Sequence, residues 1–204
     1  MAASPILLVD IRALTDDERT LGGAVAGRAL CDDPLVVFLH GDDVSVRLRA
    51  SYDMFIGAML AMSEPALGAF VGPYPVAVVA ASPPDTCFMG RLDPTMRIAP
   101  SGPLGAPGSP DRMRRAMANW CEHHTEERHW HVGPVAVEPQ LQGRGIGGRV
   151  MQQLCDRMDA EGEVAWLETE KPENVVFYRR LGFEVTSESD VYTLHTWFMQ
   201  RAPR

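Results

Sequence analysis

The stretch that most limits what this chain can fold into is Glu138-Pro139-Gln140-Leu141-Gln142-Gly143-Arg144-Gly145-Ile146-Gly147-Gly148-Arg149. An apolar, strand-like run from Val132 to Val137 leads into it. Behind it Ile146, Val150, Leu154 and Met158 recur at every fourth position, the stripe of an amphipathic helix. Strand, glycine turn and helix in that order make a phosphate-holding device. Glycine lets the backbone approach an anion closely, and the unpaired N–H groups of the first helical turn point at it with the helix dipole behind them. Arg144 and Arg149 add positive charge at the same place.

Gly143, Gly145 and Gly148 also spell GxGxxG, with the acidic Glu168 twenty positions beyond Gly148, as in dinucleotide-binding folds. An NAD-dependent oxidoreductase is nevertheless the remote alternative. That fingerprint places its first glycine at the end of the strand, whereas five residues separate Val137 from Gly143, and too little chain follows for further βαβ units.

Around this centre the pattern is mixed. Ile6 to Ile11 reads as a strand, and Thr15-Asp16-Asp17-Glu18 as a capping box opening a helix to about Leu30, where Asp32-Asp33-Pro34 breaks it. Asp42 or Asp43 caps a second helix, which ends before Glu64-Pro65. Strands Ala66–Val71 and Val76–Ala81 flank a Gly72-Pro73-Tyr74-Pro75 turn. From Ser82 to Pro110 proline and glycine are too dense for a continuous element, so a loop insertion is expected there, either a lid or wall of the substrate site or a floppy segment. Ser109-Pro110-Asp111 starts a helix, with Ser109 as its cap, that runs towards Glu127. After the glycine turn and its helix come a strand at Val164–Thr169, a short helix from Pro172 stopped by Gly182, and a closing pair of strands, Phe183–Ser187 and Val191–Met199. The expectation is one α/β (α+β) domain over residues 1–204.

A net charge of −8 argues against nucleic acid or an acidic membrane as partner, since phosphate contacts need a basic face, and leans towards a cationic small molecule. No run approaches the ~20 apolar residues of a membrane span. Ile6-Leu7-Leu8-Val9 is too short for a signal core and is interrupted by Asp10, so a cytoplasmic location is expected. The cysteines at 31, 87, 121 and 155 form no CxxC pair and read as reduced, buried thiols. Cys121, His123, His124, His129 and His131 crowd one stretch, and strand alternation puts His129 and His131 on one face. No complete ligand set of known spacing appears, so the expectation is no metal, with a solvated helix end running into a strand start.

Val135-Ala136-Val137-Glu138-Pro139 followed by Gln142-Gly143-Arg144-Gly145-Ile146-Gly147 (Q-x-x-G-x-G), then Leu167-Glu168-Thr169 and Asn174-Val175-Val176-Phe177-Tyr178-Arg179-Arg180-Leu181-Gly182-Phe183, closely resembles the GCN5-related N-acetyltransferases. The resemblance runs from about Trp130 to Val185. It is fainter in Cys31-Asp32-Asp33-Pro34 and in the ending Thr196-Trp197-Phe198-Met199-Gln200-Arg201, and that ending, together with Leu167-Glu168-Thr169 through Asn174 and Phe177-Tyr178, looks most like the puromycin N-acetyltransferase branch. It implies a GNAT-like, mostly antiparallel sheet with a splayed pair of central strands. It also implies acetyl-CoA as donor, with direct transfer to a primary amine and no metal. The pantetheine arm would pair with the backbone of Val135, Ala136 and Val137, where Pro134 beside Gly133 suggests a bulge. Gln142, Gly143, Arg144, Gly145, Ile146, Gly147 and Gly148 would wrap the pyrophosphate, and Asn174 would reach the pantetheine.

Tyr178 is the expected general acid for the leaving thiolate, a phenol that stays protonated at neutral pH. Glu168 and His131 are the two candidate bases for the amine. The acceptor stays open between an antibiotic-like amine, a polyamine or amino-acid derivative, and a protein N-terminus, with a small cationic amine favoured. A non-catalytic acyl-CoA sensor is the second alternative. A homodimer through the C-terminal strand is left open.

Overall fold

In the computed structural model, residues 8–64, 66–87 and 105–204 are described. The N-terminal part holds β1 (Asp10–Ala13), α1 (Arg19–Ala29), α2 (Pro34–His40), α3 (Val44–Ala61), β2 (Leu67–Val71), β3 (Tyr74–Ser82) and α4 (Ser109–His123). The C-terminal part holds β4 (His129–Val137), α5 (Ile146–Glu161), β5 (Val164–Thr169), α6 (Pro172–Arg180), β6 (Glu184–Val191) and β7 (Leu194–Arg201). One seven-stranded sheet runs β1-β2-β3-β4-β5-β7-β6. Every neighbouring pair is antiparallel except β4–β5, which is parallel.

Alternation along β3 serves both faces of the sheet. Ala77, Val79 and Ala81 pack with Ile146, Val150, Leu154 and Met158 of α5, while Val78 and Ala80 pack with Leu14, Val25, Ala26 and Met59 on the side of α1 and α3. The every-fourth-residue stripe of α5 is thus its core face. Helices α1 and α3 meet at glycines: a Cβ on Gly23 would lie 2.5 Å from Ile56 Cα, and one on Gly27 3.1 Å from Tyr52 Cα. Neither position can carry a side chain without separating the helices.

Three local expectations need correction. The first strand is shifted, since residues 8 and 9 are not strand and β1 begins at Asp10; Ile6 and Leu7 lie outside the described residues. Asp33 does more than end α1. Its carboxylate accepts from Leu35 N–H at 3.0 Å and Pro34 sits at the first helical position, so the breaker is also the start of α2. Gly108, not Ser109, caps α4, in a left-handed conformation (φ +79°), and the helix stops at His123, short of Glu127. Of the loop expected over Ser82–Pro110, residues 88–104 lie outside the described set. Among the described residues, no helix is long and apolar enough to cross a membrane.

Candidate active site

Strand β4 pairs with β5 only from His129 to His131. Beyond that point β5 continues along β7, whereas β4 continues along β3, with Val135, Ala136 and Val137 opposite Val79, Val78 and Ala77. The two central strands therefore part, as the resemblance implied. The register shifts where Val79 and Ala81 of β3 face Val135 and Val132 of β4, so β4 carries one extra residue at Gly133-Pro134. This is the expected bulge, and it leaves one edge of Val135–Val137 without a strand partner among the described residues.

The glycine turn closes the opening at one end. Gly143 and Gly145 have φ of +74° and +75°, left-handed conformations that glycine adopts without strain. Gly145 caps α5 with no side-chain cap, which leaves the first amides of a sixteen-residue helix for an outside anion. Space is tight at Gly147, since a Cβ there would lie 3.1 Å from Val137 Cγ2. Gln142 ties the turn to the strand, its amide donating to Val137 C=O at 3.0 Å. Arg28 of α1, paired with Glu138, holds the turn's entrance, a long-range contact that no local pattern announces.

On the other side of β4 lies a cavity of about 410 Å³, walled by apolar side chains of α2, α3 and α4 and by His131, Val135, Glu168, Asn174 and Tyr178. Asn174 is tethered to Thr169, its amide donating to the hydroxyl at 3.0 Å. Two further lining residues, Asp33 and Glu170, join Glu168 to make three carboxyls, and no Lys or Arg is among the described residues that line the cavity.

Burial, and then the charges of Asp33 and Glu168, hold the Glu170 carboxyl well above its usual range. Burial also raises Asp33, opposed by Lys171 Nζ at 3.5 Å. Tyr178, on α6 and 6% exposed, is pushed well above the ordinary phenol range by burial and by Glu168, Asp33 and Glu170. Asp33 and Glu170 were not expected as site residues. Glu170 was legible in principle, lying just past the end of β5 and two residues beyond Glu168, whereas Asp33 arrives only through the packing of α2.

His131 lies between two acidic groups. Its Nε2 is 2.9 Å from Glu168 Oε2 and its Nδ1 is 3.1 Å from Cys87 Sγ. Burial disfavours a charge on the ring, but Glu168 and Cys87 outweigh it and hold His131 up to about 10. Burial likewise opposes the Cys87 thiolate, while His124, His129 and His131 bring its pKa down to about 4. The imidazoles expected at a solvated helix end are in fact interior groups, with His129 5% and His131 7% exposed. Their rings, with that of His124, lie around Trp166.

A family model described as the acetyltransferase (GNAT) family matches residues 75–183. Solved structures with the same fold include a histone acetyltransferase-related protein from Corynebacterium glutamicum, at 17% identity and a TM-score of 0.67 over 97% of this chain and 98% of that one. An agmatine N-acetyltransferase aligns at 16% identity and 0.67, over 95% and 99%. The PaiA N-acetyltransferase of Thermoplasma acidophilum, solved in complex with coenzyme A, aligns at 12% identity and 0.57, over 96% and 99%.

Proposed function

Because the chain belongs to the acetyltransferase (GNAT) family, we propose that it transfers the acetyl group of acetyl-CoA directly to the primary amine of a small cationic acceptor held in the carboxyl-lined cavity. The free edge of Val135–Val137 suits an extended amide-bearing arm such as pantetheine, and the glycine turn with the α5 N-terminus suits a pyrophosphate. Arg144 and Arg149 supply positive charge at the same end. Asn174, fixed by Thr169, stands where the arm would enter the cavity.

The observation that carries the acceptor class is the cluster of Asp33, Glu168 and Glu170 around a neutral Tyr178 without a lining Lys or Arg. Burial first, and then repulsion from Asp33 and Glu168, raises Glu170, and an ammonium group entering this cavity offsets the repulsive part. Glu168 holds one oxygen on His131 and leaves Oε1 to accept the ammonium proton. Both ring nitrogens of His131 are engaged, by Glu168 and Cys87, so His131 is a positioning residue rather than the base. The freed amine nitrogen bonds to the acetyl carbonyl carbon, the carbon–sulfur bond breaks, Tyr178 gives its proton to the departing sulfur, and the second proton of the nitrogen passes to the tyrosinate oxygen as the neutral amide forms.

The test is thiol release from acetyl-CoA with agmatine and short diamines, compared with neutral primary amines of matched length and with amino acids that carry carboxylates. A charge-assisted contact is worth about 1.5–3 kcal/mol, so kcat/KM for the dicationic amines should exceed that for neutral ones by roughly tenfold or more. Equal turnover of neutral or acidic amines would sink the acceptor assignment.

A further inference from the structure

Outside the acetyl-transfer machinery the molecule holds a second constellation. Cys87 follows β3, His124 directly follows α4, and His129 opens β4. One ligand-type atom from each, the Cys87 sulfur and a ring nitrogen of each histidine, falls within 4.8 Å of the other two. The Cys87 Sγ–His124 Nε2 distance is 3.4 Å. His129 Nδ1 lies 2.6 Å from Glu127 C=O, and because a carbonyl only accepts, that nitrogen carries the proton. Its Nε2 is buried without a hydrogen-bond partner, in a residue that is only 5% exposed.

The buried ring nitrogen of His129 is therefore unsatisfied beside a sulfur and a second imidazole. A buried, unpartnered polar atom costs about 1–3 kcal/mol, and native proteins keep few of them. A cation bound between a sulfur and two imidazole nitrogens removes the deficit at a stroke.

We propose that Cys87, His124 and His129 bind one zinc ion, which fastens the segment after β3, the end of α4 and the start of β4 together behind the acceptor cavity. Zinc suits the donors: it takes Cys sulfur and His nitrogen at ~2.3 and ~2.0–2.1 Å, imposes no redox chemistry and accepts three protein ligands with a fourth position open. Ideal tetrahedral spacing from those bond lengths is roughly 3.5 Å between sulfur and nitrogen, close to the Cys87–His124 distance. The outer contacts are also those of a metal centre. The Glu127 carbonyl orients the His129 ring, and His131 at 3.1 Å donates to the coordinating sulfur while its far nitrogen meets Glu168. Through that last link the metal sets the position of the carboxylate in the cavity. The assignment runs against the expectation that this stretch is metal-free: no CxxC or HxxxH spacing announces the site, because Cys87 comes from 37 residues before His124. It stands independently of the acetyl-transfer reading.

The test uses the full-length reduced chain, stripped with a chelator and titrated with Co²⁺ alone, then with Zn²⁺ alone. We expect one cobalt per chain, a near-ultraviolet sulfur-to-cobalt charge-transfer band with intense four-coordinate visible bands, and displacement of both by one equivalent of Zn²⁺. Cys87→Ser should abolish the charge-transfer band, and His129→Gln should weaken binding by roughly tenfold or more. Cys121→Ser should leave the band in place. Circular dichroism of the metal-free variants checks that they fold. If Cys87→Ser does not fold, the wild-type band and the His129→Gln titration decide the question. No stoichiometric charge-transfer band in the wild type overturns the proposal, as does a band that survives Cys87→Ser or is lost in Cys121→Ser.

Discussion

The two ends of β4 solve opposite problems with one strand. At its C-terminal end, Val135 to Val137 and the turn to Gly148 present main-chain groups: a free strand edge, left-handed glycines and the first amides of α5. At its N-terminal end, His129 and His131 are buried side chains facing Cys87, His124, Trp166 and Glu168, which come from three other parts of the chain. Main-chain recognition needs only permission to approach, which small residues at close spacing grant, and it is therefore local in sequence. Side-chain recognition needs particular groups at particular places, and the topology assembles them. A donor used throughout a family can be held the first way; an acceptor that varies calls for the second.

Tyr178 stands where the two ends meet, and removing its hydroxyl should have the largest effect. Tyr178→Phe keeps the aromatic contacts with Phe177 and Phe183 and removes only the hydroxyl proposed to protonate the departing sulfur. Loss of a general acid typically costs on the order of 10²–10⁴ in rate, so kcat should fall by that factor while KM for acetyl-CoA stays nearly constant. Steady-state kinetics on both substrates checks it. An unchanged kcat removes Tyr178 from the chemistry, and a selective rise in the acetyl-CoA KM would move it to the binding side of the comparison.

A smaller effect should separate the main-chain end from the rest. A Cβ at Gly145 meets nothing within 4 Å, so Gly145→Ala adds no clash and only forces a non-glycine residue to φ +75°. That conformation costs roughly 1–2 kcal/mol. The turn relaxes or the protein loses that stability, and the acetyl-CoA KM should rise by about tenfold with the acceptor KM unaffected. If the acceptor KM rises equally, the two ends are not separable.

This contrast also explains what the sequence discloses. The α5 stripe, the strand Val164–Thr169 and the Q-x-x-G-x-G turn are readable because helix periodicity, strand alternation and glycine spacing are properties of neighbouring residues. Tyr178 and Glu168 lie inside contiguous motifs and His131 near the start of the central strand, and all three line the cavity. Asp33 was read as a helix breaker because breaking and capping use the same residue type, and only the packing of α2 turns its carboxyl to the cavity. Cys87 had no local partner at all; its meaning depends on where β3 leaves the sheet relative to β4, which no window of sequence contains.

The subtlest prediction concerns pH and touches only the acceptor end. Burial and the neighbouring carboxylates raise Glu170 in the folded state above its unfolded value of about 4.3. Between those two values the native protein binds more protons than the unfolded chain, so stability falls as pH rises across the window. Below the unfolded value both states are protonated and the penalty is absent; above the folded value it is present in full. Glu170→Gln keeps the shape without the ionisation. The variant should therefore unfold at a higher temperature than the wild type in mildly alkaline buffer, with the gap closing as the pH is lowered towards about 4. It should also bind a dicationic acceptor more weakly, because one of the three cavity carboxyls is gone. Gly145→Ala, whose cost is conformational, should show the same destabilisation at every pH. Parallel melting series on the two variants make the comparison direct: a pH-dependent gap for Gly145→Ala, or a flat one for Glu170→Gln, would mean that charge and backbone strain are not divided between the two ends of β4.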